Sequence, residues 1–224
     1  MAADGAAGLV LYDYWRSSAS YRVRIALNLK GLAYEQRPVH LVRSGGEQHQ
    51  DAYRRVNPQG LVPALVHGDR VLTQSLAICE YLDEAFGGPA LLDGDAGRRA
   101  RIRALAQAVA CDIHPINNLR VLKYLGDELG QGEDAVRRWY AHWITLGFAA
   151  VERTLASREE RSPFCFGEAP SLADCCLVPQ VYNAERFACD LEPYPELMRV
   201  VAHCRALDAF EAAQPEFQPD APDR

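Results

Sequence analysis

NPQGLVPALVHGDRVLTQSLAICEYL, residues 57 to 82, holds more structural punctuation than any other stretch of the chain. Val62-Pro63-Ala64-Leu65-Val66 and Val71-Leu72 are short apolar runs, and His67-Gly68-Asp69-Arg70 between them has the turn chemistry of a tight hairpin. From Ser75 to Phe86 apolar residues recur at helical spacing until Gly87-Gly88 ends the pattern. The unit therefore reads strand, strand, helix. A proline opening a strand is compatible with a cis or a trans bond, and the cis form sets the preceding N–H and C=O where an extended peptide pairs with them. Ser75 fits the N-cap of the helix, and that helix start also offers N–H groups and the positive end of its dipole to a carboxylate. Each feature alone is ordinary, but a few residues apart they suit a small, acidic, extended peptide.

Upstream, Leu9-Val10-Leu11-Tyr12 suits a buried strand, Arg22 to Leu29 a helix ended by Gly31, and Tyr34 to Leu41 a second strand. The predicted order is β-α-β, an irregular or helical stretch, then β-β-α. Trp15-Arg16-Ser17-Ser18-Ala19-Ser20-Tyr21-Arg22-Val23-Arg24 spans the first turn from strand to helix. Small hydroxyl residues at a helix start cap it, and they also donate hydrogen bonds to a thiolate held there, with the helix dipole adding to the effect. Arg22 and Arg24 are compatible with a solvated helix face.

Downstream of residue 90 the strand signals stop. Arg98 to Leu129, Glu133 to Leu155, Ser171 to Phe187 and Tyr194 to Phe210 each carry helical periodicity, separated by Gly and Pro clusters. The predicted organisation is an α/β domain over residues 1–88, a linker over 89–97 and an all-helical domain over 98–224, with a poorly ordered Pro- and Asp-rich tail from Gln214. Ser171-Leu172-Ala173-Asp174 has the form of a capping box, a folding feature whose removal costs on the order of 1 kcal/mol.

The 224 residues carry a formal net charge of −6, with 49% hydrophobic and 24% charged residues, an ordinary globular balance. A net acidic chain without clustered Lys and Arg disfavours a nucleic-acid or anionic-membrane partner, so an anionic ligand needs a local cationic pocket. The start MAADGAAG lacks a signal-like basic and apolar pattern, and no run approaches a membrane span; a cytoplasmic location is expected. The seven cysteines form neither a disulfide framework nor a CxxC pair and read as buried thiols.

SSASYRVRIALNLKG, NPQGLVPAL, LTQSLAICEYL and SLADCCLVPQVYNAERF together resemble the zeta-class glutathione transferases, the family of maleylacetoacetate and maleylpyruvate isomerases. The likeness runs from about Leu9 to Phe210, and CDIHPINN, residues 111 to 118, is similar to the maleylpyruvate branch. The resemblance implies a thioredoxin-like first domain, a helical second domain and a homodimer. It implies glutathione as cofactor and a maleyl dicarboxylate as substrate, isomerised by thiolate addition, bond rotation and elimination. By position it places Ser17, Ser18, Ala19, Ser20 and Arg22 along the glutathione-activating turn. Gln48 and Val62 would contact the tripeptide, and Gln74 and Ser75 its γ-glutamyl end. His114, Asn118 and Arg120 would reach the cofactor from the first long helix of the second domain.

Ala19 stands where the family pattern has Cys, so no protein thiol is available at that turn; the nucleophile that the resemblance implies is the cofactor's thiolate, activated by Ser17 or Ser18. Arg16, Arg186 and, as a third, Arg120 are the substrate-side candidates, because a guanidinium fork binds carboxylates in pairs of hydrogen bonds. Simple ion pairs are the competing reading: Arg16 with Asp13, Arg186 with Glu185 or Glu192. His114 before Pro115 equally suits a helix kink. His114 and Asn117 favour maleylpyruvate and Leu119 does not, so both substrates stay open. A conjugating transferase and a non-catalytic module of the same fold are the alternative functions, the second disfavoured by the joint presence of Ser17, Gln74 and Ser75.

Overall fold

The computed structural model describes residues 8–159 and 161–222. Contacts divide the chain into two units, one of residues 1–92 and 206–224 and the other of residues 93–205.

In the first unit, β1 (Leu9–Asp13), β2 (Glu35–Pro38), β3 (Ala64–His67) and β4 (Arg70–Thr73) form a four-stranded sheet in the order β2-β1-β3-β4. β1 and β2 run parallel because α1 (Ser18–Leu29) carries the chain back between them. β3 is antiparallel to β1 and to β4, as the two-residue Gly68-Asp69 loop requires. α3 (Ser75–Ala85) packs on α1, and Leu11, Ile25, Leu27, Leu65, Ile78 and Leu82 are fully enclosed between helices and sheet. Each such side chain contributes about 1.5–3 kcal/mol of burial. The short α2 (Asp51–Arg54) fills the irregular stretch before β3. β2 is shorter than the expected Tyr34 to Leu41, since only Glu35 to Pro38 pair with β1.

The second unit is helical: α4 (Ala96–Gln107), α5 (Leu119–Lys123), α6 (Glu133–Ala156), α7 (Leu172–Arg186) and α8 (Pro195–Arg205). The single helix expected from Arg98 to Leu129 is broken. Ala108–Ile113 and Tyr124–Glu128 are π-helical and Pro115–Asn117 is a 3-10 turn, because Pro115 has no N–H to continue an α-ladder. The capping box of α7 is present, and the buried Asp174 also accepts from the Cys165 N–H at 2.8 Å.

The C-terminus departs most from expectation. The helix predicted from Tyr194 to Phe210 stops at Arg205, a short α9 (Asp208–Glu211) follows, and residues 206–224 cluster with the first unit instead of with the helical one. The tail expected to be poorly ordered is built into that unit through Trp15, Arg24 and Gln36, which bond to Asp220, Ala213 and Gln218. Five of the seven cysteines are buried and all seven are reduced; Cys111 is exposed and Cys189 half-buried.

Candidate functional site

The turn after β1 leads to Ser17, which has extended backbone angles and is the N-cap of α1. Its Oγ accepts from the Ser20 N–H at 3.3 Å while its own N–H donates to the Tyr14 carbonyl at 2.9 Å. A hydroxyl that accepts from the backbone still has a proton to donate. Ser18 is buried as the first helical residue, Ala19 is half-buried, and Ser20 is buried with its hydroxyl unpartnered. No acidic residue sits in the first turn of α1 to oppose the positive end of its dipole.

Arg22, one turn further on, is 2% exposed, so a solvated helix face does not describe it. Its Nη1 donates to Ser75 Oγ at 3.2 Å, and Nε and Nη2 have no partner. A buried guanidinium without a carboxylate leaves local positive potential at the start of α3. Ser75 is not the N-cap of that helix but its first residue; Gln74 caps it, with φ of 70° and ψ of 115°. A non-glycine residue held in this left-handed region costs about 1–3 kcal/mol and marks a constrained site. Gln74 Nε2 donates to Gln59 Oε1 at 3.0 Å. α3, like α1, has no acidic residue in its first turn.

The Val62–Pro63 bond is cis, which settles the alternative left open above. Val62 stands just outside the ladder that begins at Ala64. The loop leading to it is clamped by Tyr53 and Asn57, which both donate to the Leu61 carbonyl, at 2.6 and 2.7 Å. Gln48 is buried on the adjoining turn with Oε1 unpartnered. Gly46 makes room for it: at φ of 103°, a Cβ there would lie 2.5 Å from Gln48 Nε2. The first unit thus joins the predicted residues of the α1 turn to Ser75 through Arg22. Gln48, Val62 and Gln74 belong to the neighbouring turns of the same unit.

In the second unit, His114 follows the π-helical segment and is half-buried beside Pro115. Asn118 is the N-cap of α5, its Oδ1 accepting from the Arg120 N–H at 3.1 Å, and Arg120 is exposed. Arg186, on the last turn of α7, is exposed. Its guanidinium lies 4.7 Å from the Phe187 ring centre, and Phe187 stacks on Tyr140 at 3.6 Å. Burial raises the Tyr140 pKa above its ordinary value, against the pull of Arg186, so the phenol stays neutral. Two of the carboxylates considered for Arg16 and Arg186 are engaged elsewhere. Glu185 pairs with Arg205 and Asp13 with Arg24, and Arg16 lies 5.2 Å from the Trp15 ring centre. Sequence reasoning passed over Tyr140, whose helical apolar spacing is indistinguishable from core.

The chain matches the family model described as glutathione S-transferase, N-terminal domain, over residues 11–90. It is 54% identical over 213 residues to the probable maleylacetoacetate isomerase of Vibrio cholerae, covering 95% of this chain and 98% of that one. The chain belongs to the maleylacetoacetate isomerase family of zeta-class glutathione transferases. Among solved members, a holo maleylpyruvate isomerase described as a bacterial zeta-class transferase is 52% identical, with a TM-score of 0.92 over 95% of this chain and 100% of that one. The maleylacetoacetate isomerase of Methylobacterium extorquens AM1, solved with malonate and glutathione bound, is 41% identical, with a TM-score of 0.91 over 96% and 100%.

Proposed function

We propose that the chain is a glutathione-dependent cis-trans isomerase of a maleyl dicarboxylate, maleylacetoacetate or maleylpyruvate. The observation that carries the reading is a serine hydroxyl with a proton to give, held at the N-terminus of a helix whose first turn has no acidic residue, in a chain 54% identical to its relative. The first unit fits the tripeptide chemically. Arg22, buried beside Ser75 with two donors unanswered, gives the start of α3 the positive potential that suits an anionic ligand. Gln74 and Ser75 would hold its γ-glutamyl end and Val62 would meet its backbone.

Bound glutathione supplies the nucleophile that adds reversibly to the double bond. Ser17 donates its proton toward the sulfur and, with the dipole of α1, keeps it ionised near neutral pH. Ser18 and Ser20 add hydroxyls to the same turn. Arg186 and Arg16 hold the substrate carboxylates and the negative charge that grows on the substrate during addition. His114, Asn118 and Arg120 are assigned to the cofactor by family position. Ala19 removes any competing protein thiol from the turn. A homodimer and a cytoplasmic location accompany this reading; among the described residues no helix is long and apolar enough to cross a membrane.

Purified protein is assayed on both maleyl substrates, with and without glutathione, while glutathione is titrated before and after turnover. The expected result is isomerisation that requires glutathione and leaves its concentration unchanged, with Ser17→Ala slowing turnover by about 10²–10³-fold. Full turnover without glutathione, or one glutathione consumed per product, overturns the proposal.

A further inference from the structure

Trp15 stands two residues before Ser17, and both ends of its peptide unit are tied down. Its N–H donates to Asp220 Oδ2 at 3.0 Å, and its carbonyl accepts from Arg24 Nη2 at 2.8 Å. Arg24 is 0% exposed and donates through Nε to the Ala213 carbonyl at 3.1 Å and through Nη1 to Asp13 Oδ2 at 2.8 Å. Gln36 Nε2 reaches the same Asp13 oxygen at 3.3 Å and Gln218 Oε1 at 2.9 Å. Gln218 in turn donates to the carbonyls of Ala212 and Gln214, which fixes the path of the tail. Asp220 and Ala213 thus reach across 205 and 189 residues of sequence to the strand end from which the Ser17 turn departs.

A tail that served only to cover apolar surface would be bound through its side chains to a hydrophobic face. Here a carboxylate is spent on one backbone N–H of the turn, and the only fully buried arginine besides Arg22 among the largest enclosed side chains ties the tail to three consecutive residues of that turn. Arg24 contacts Asp13, the Tyr14 carbonyl and the Trp15 carbonyl, and the Tyr14 carbonyl is also the acceptor for the Ser17 N–H. The position of Ser17 Oγ is therefore determined by a network whose far side is the C-terminal segment. We infer that Asp220 and Arg24 are positioning residues for the thiol-activating turn, and that residues 206–222 act as a strap that fixes Ser17 in the geometry needed to hold a thiolate. The inference rests on the assignment of the Ser17 turn to thiol activation.

Asp220 is half-buried near the chain end, so its replacement leaves the enclosed core intact. The readouts are the pKa of bound glutathione, followed by ultraviolet difference absorbance of the thiolate, the pH profile of kcat, and the affinity for S-methylglutathione by calorimetry. Asp220→Ala is expected to raise the bound thiol pKa by about half a unit or more and to lower kcat near neutral pH several-fold, with recovery as the pH is raised. S-methylglutathione affinity and melting temperature should stay close to those of the unaltered protein, and Asp220→Asn, whose amide oxygen still accepts the Trp15 N–H, should restore most of the shift. An unchanged thiol pKa and pH profile in Asp220→Ala overturns the strap. So does a loss of melting temperature and S-methylglutathione affinity in parallel with activity, since that is the mark of a merely structural role. Ser17→Ala and Ser18→Ala separate this failure from that of the underlying assignment: if neither moves the bound thiol pKa, the turn itself has been misassigned, whereas if one does and Asp220→Ala does not, only the strap falls.

Discussion

The two units use arginine in opposite ways. In the first, Arg22 and Arg24 are walled in at 2% and 0% exposure, and they bond to a hydroxyl, a carboxylate and backbone carbonyls of their own unit. In the second, Arg186 lies exposed at a helix end against an aromatic pair, and Arg161 and Arg199 gather round Glu196 at the surface. A buried guanidinium gives up its freedom and fixes a backbone; nearer the surface the same fork lies against aromatic rings or gathers round a carboxylate. The difference teaches that identical side chains can lock backbone geometry in one place and rest on rings or a carboxylate in another.

The contrast breaks most visibly at Arg24. Arg24→Ala leaves the Asp13 carboxylate buried without its counter-charge and should cost about 3–5 kcal/mol, read as a lower urea midpoint. Burial already pushes the Asp13 pKa above its ordinary value despite Arg24 and Gln36. A raised folded pKa means that Asp13 favours the folded state when protonated and loses that contribution as the pH rises through it. The double variant Arg24→Met, Asp13→Leu should therefore recover much of the loss, and a double variant no better than Arg24→Ala would show that the pair's other bonds carry the stability.

Arg186 gives the next largest effect, on activity and not on folding. Arg186→Ala should lower kcat/KM on the maleyl substrate by about 10- to 100-fold with glutathione affinity nearly unchanged, and Arg186→Lys should recover only part. A fall in melting temperature ahead of specific activity would instead assign Arg186 to the support of Tyr140 and Phe187.

The smallest effect belongs to Glu196. Bonds from Arg161 and Arg199 lower its pKa from 4.5 to about 2. A depressed carboxyl pKa contributes stability that is present above its unfolded value and lost as the pH falls from about 4.5 toward 2. Glu196→Gln should flatten the acid limb of the stability curve in that window by under about 1 kcal/mol, because Arg161, its first partner, is largely exposed and screened by water. A variant with an unaltered acid limb would remove the surface network from the balance.

The hairpin was legible because Gly68-Asp69 interrupts two apolar runs, and the α7 capping box because both of its partners lie within one turn. The family motifs were readable for the same reason: they are local. What escaped the sequence depended on distance or on backbone geometry. Helical periodicity from Arg98 to Leu129 persists through π-helical and 3-10 turns, since these change the bonding pattern more than the spacing of apolar residues. Ser75 has the chemistry of a cap, yet the left-handed Gln74 takes that place. Nothing in the order of residues told which arginines would be enclosed. The tail escaped for a similar reason: its Pro and Asp content looks like disorder, while its partners are a backbone N–H and side chains nearly two hundred positions earlier.

That tail also sets a timetable for synthesis. The ribosome releases residues 8–92 long before residues 206–222, so throughout the making of the helical unit the nascent first unit lacks the Ala213 carbonyl for Arg24 and the Asp220 carboxylate for Trp15. The first unit to emerge is thus the last to be finished. A stop codon or frameshift just before Ala213 would yield a chain with every family motif in place and its oldest segment still waiting for closure.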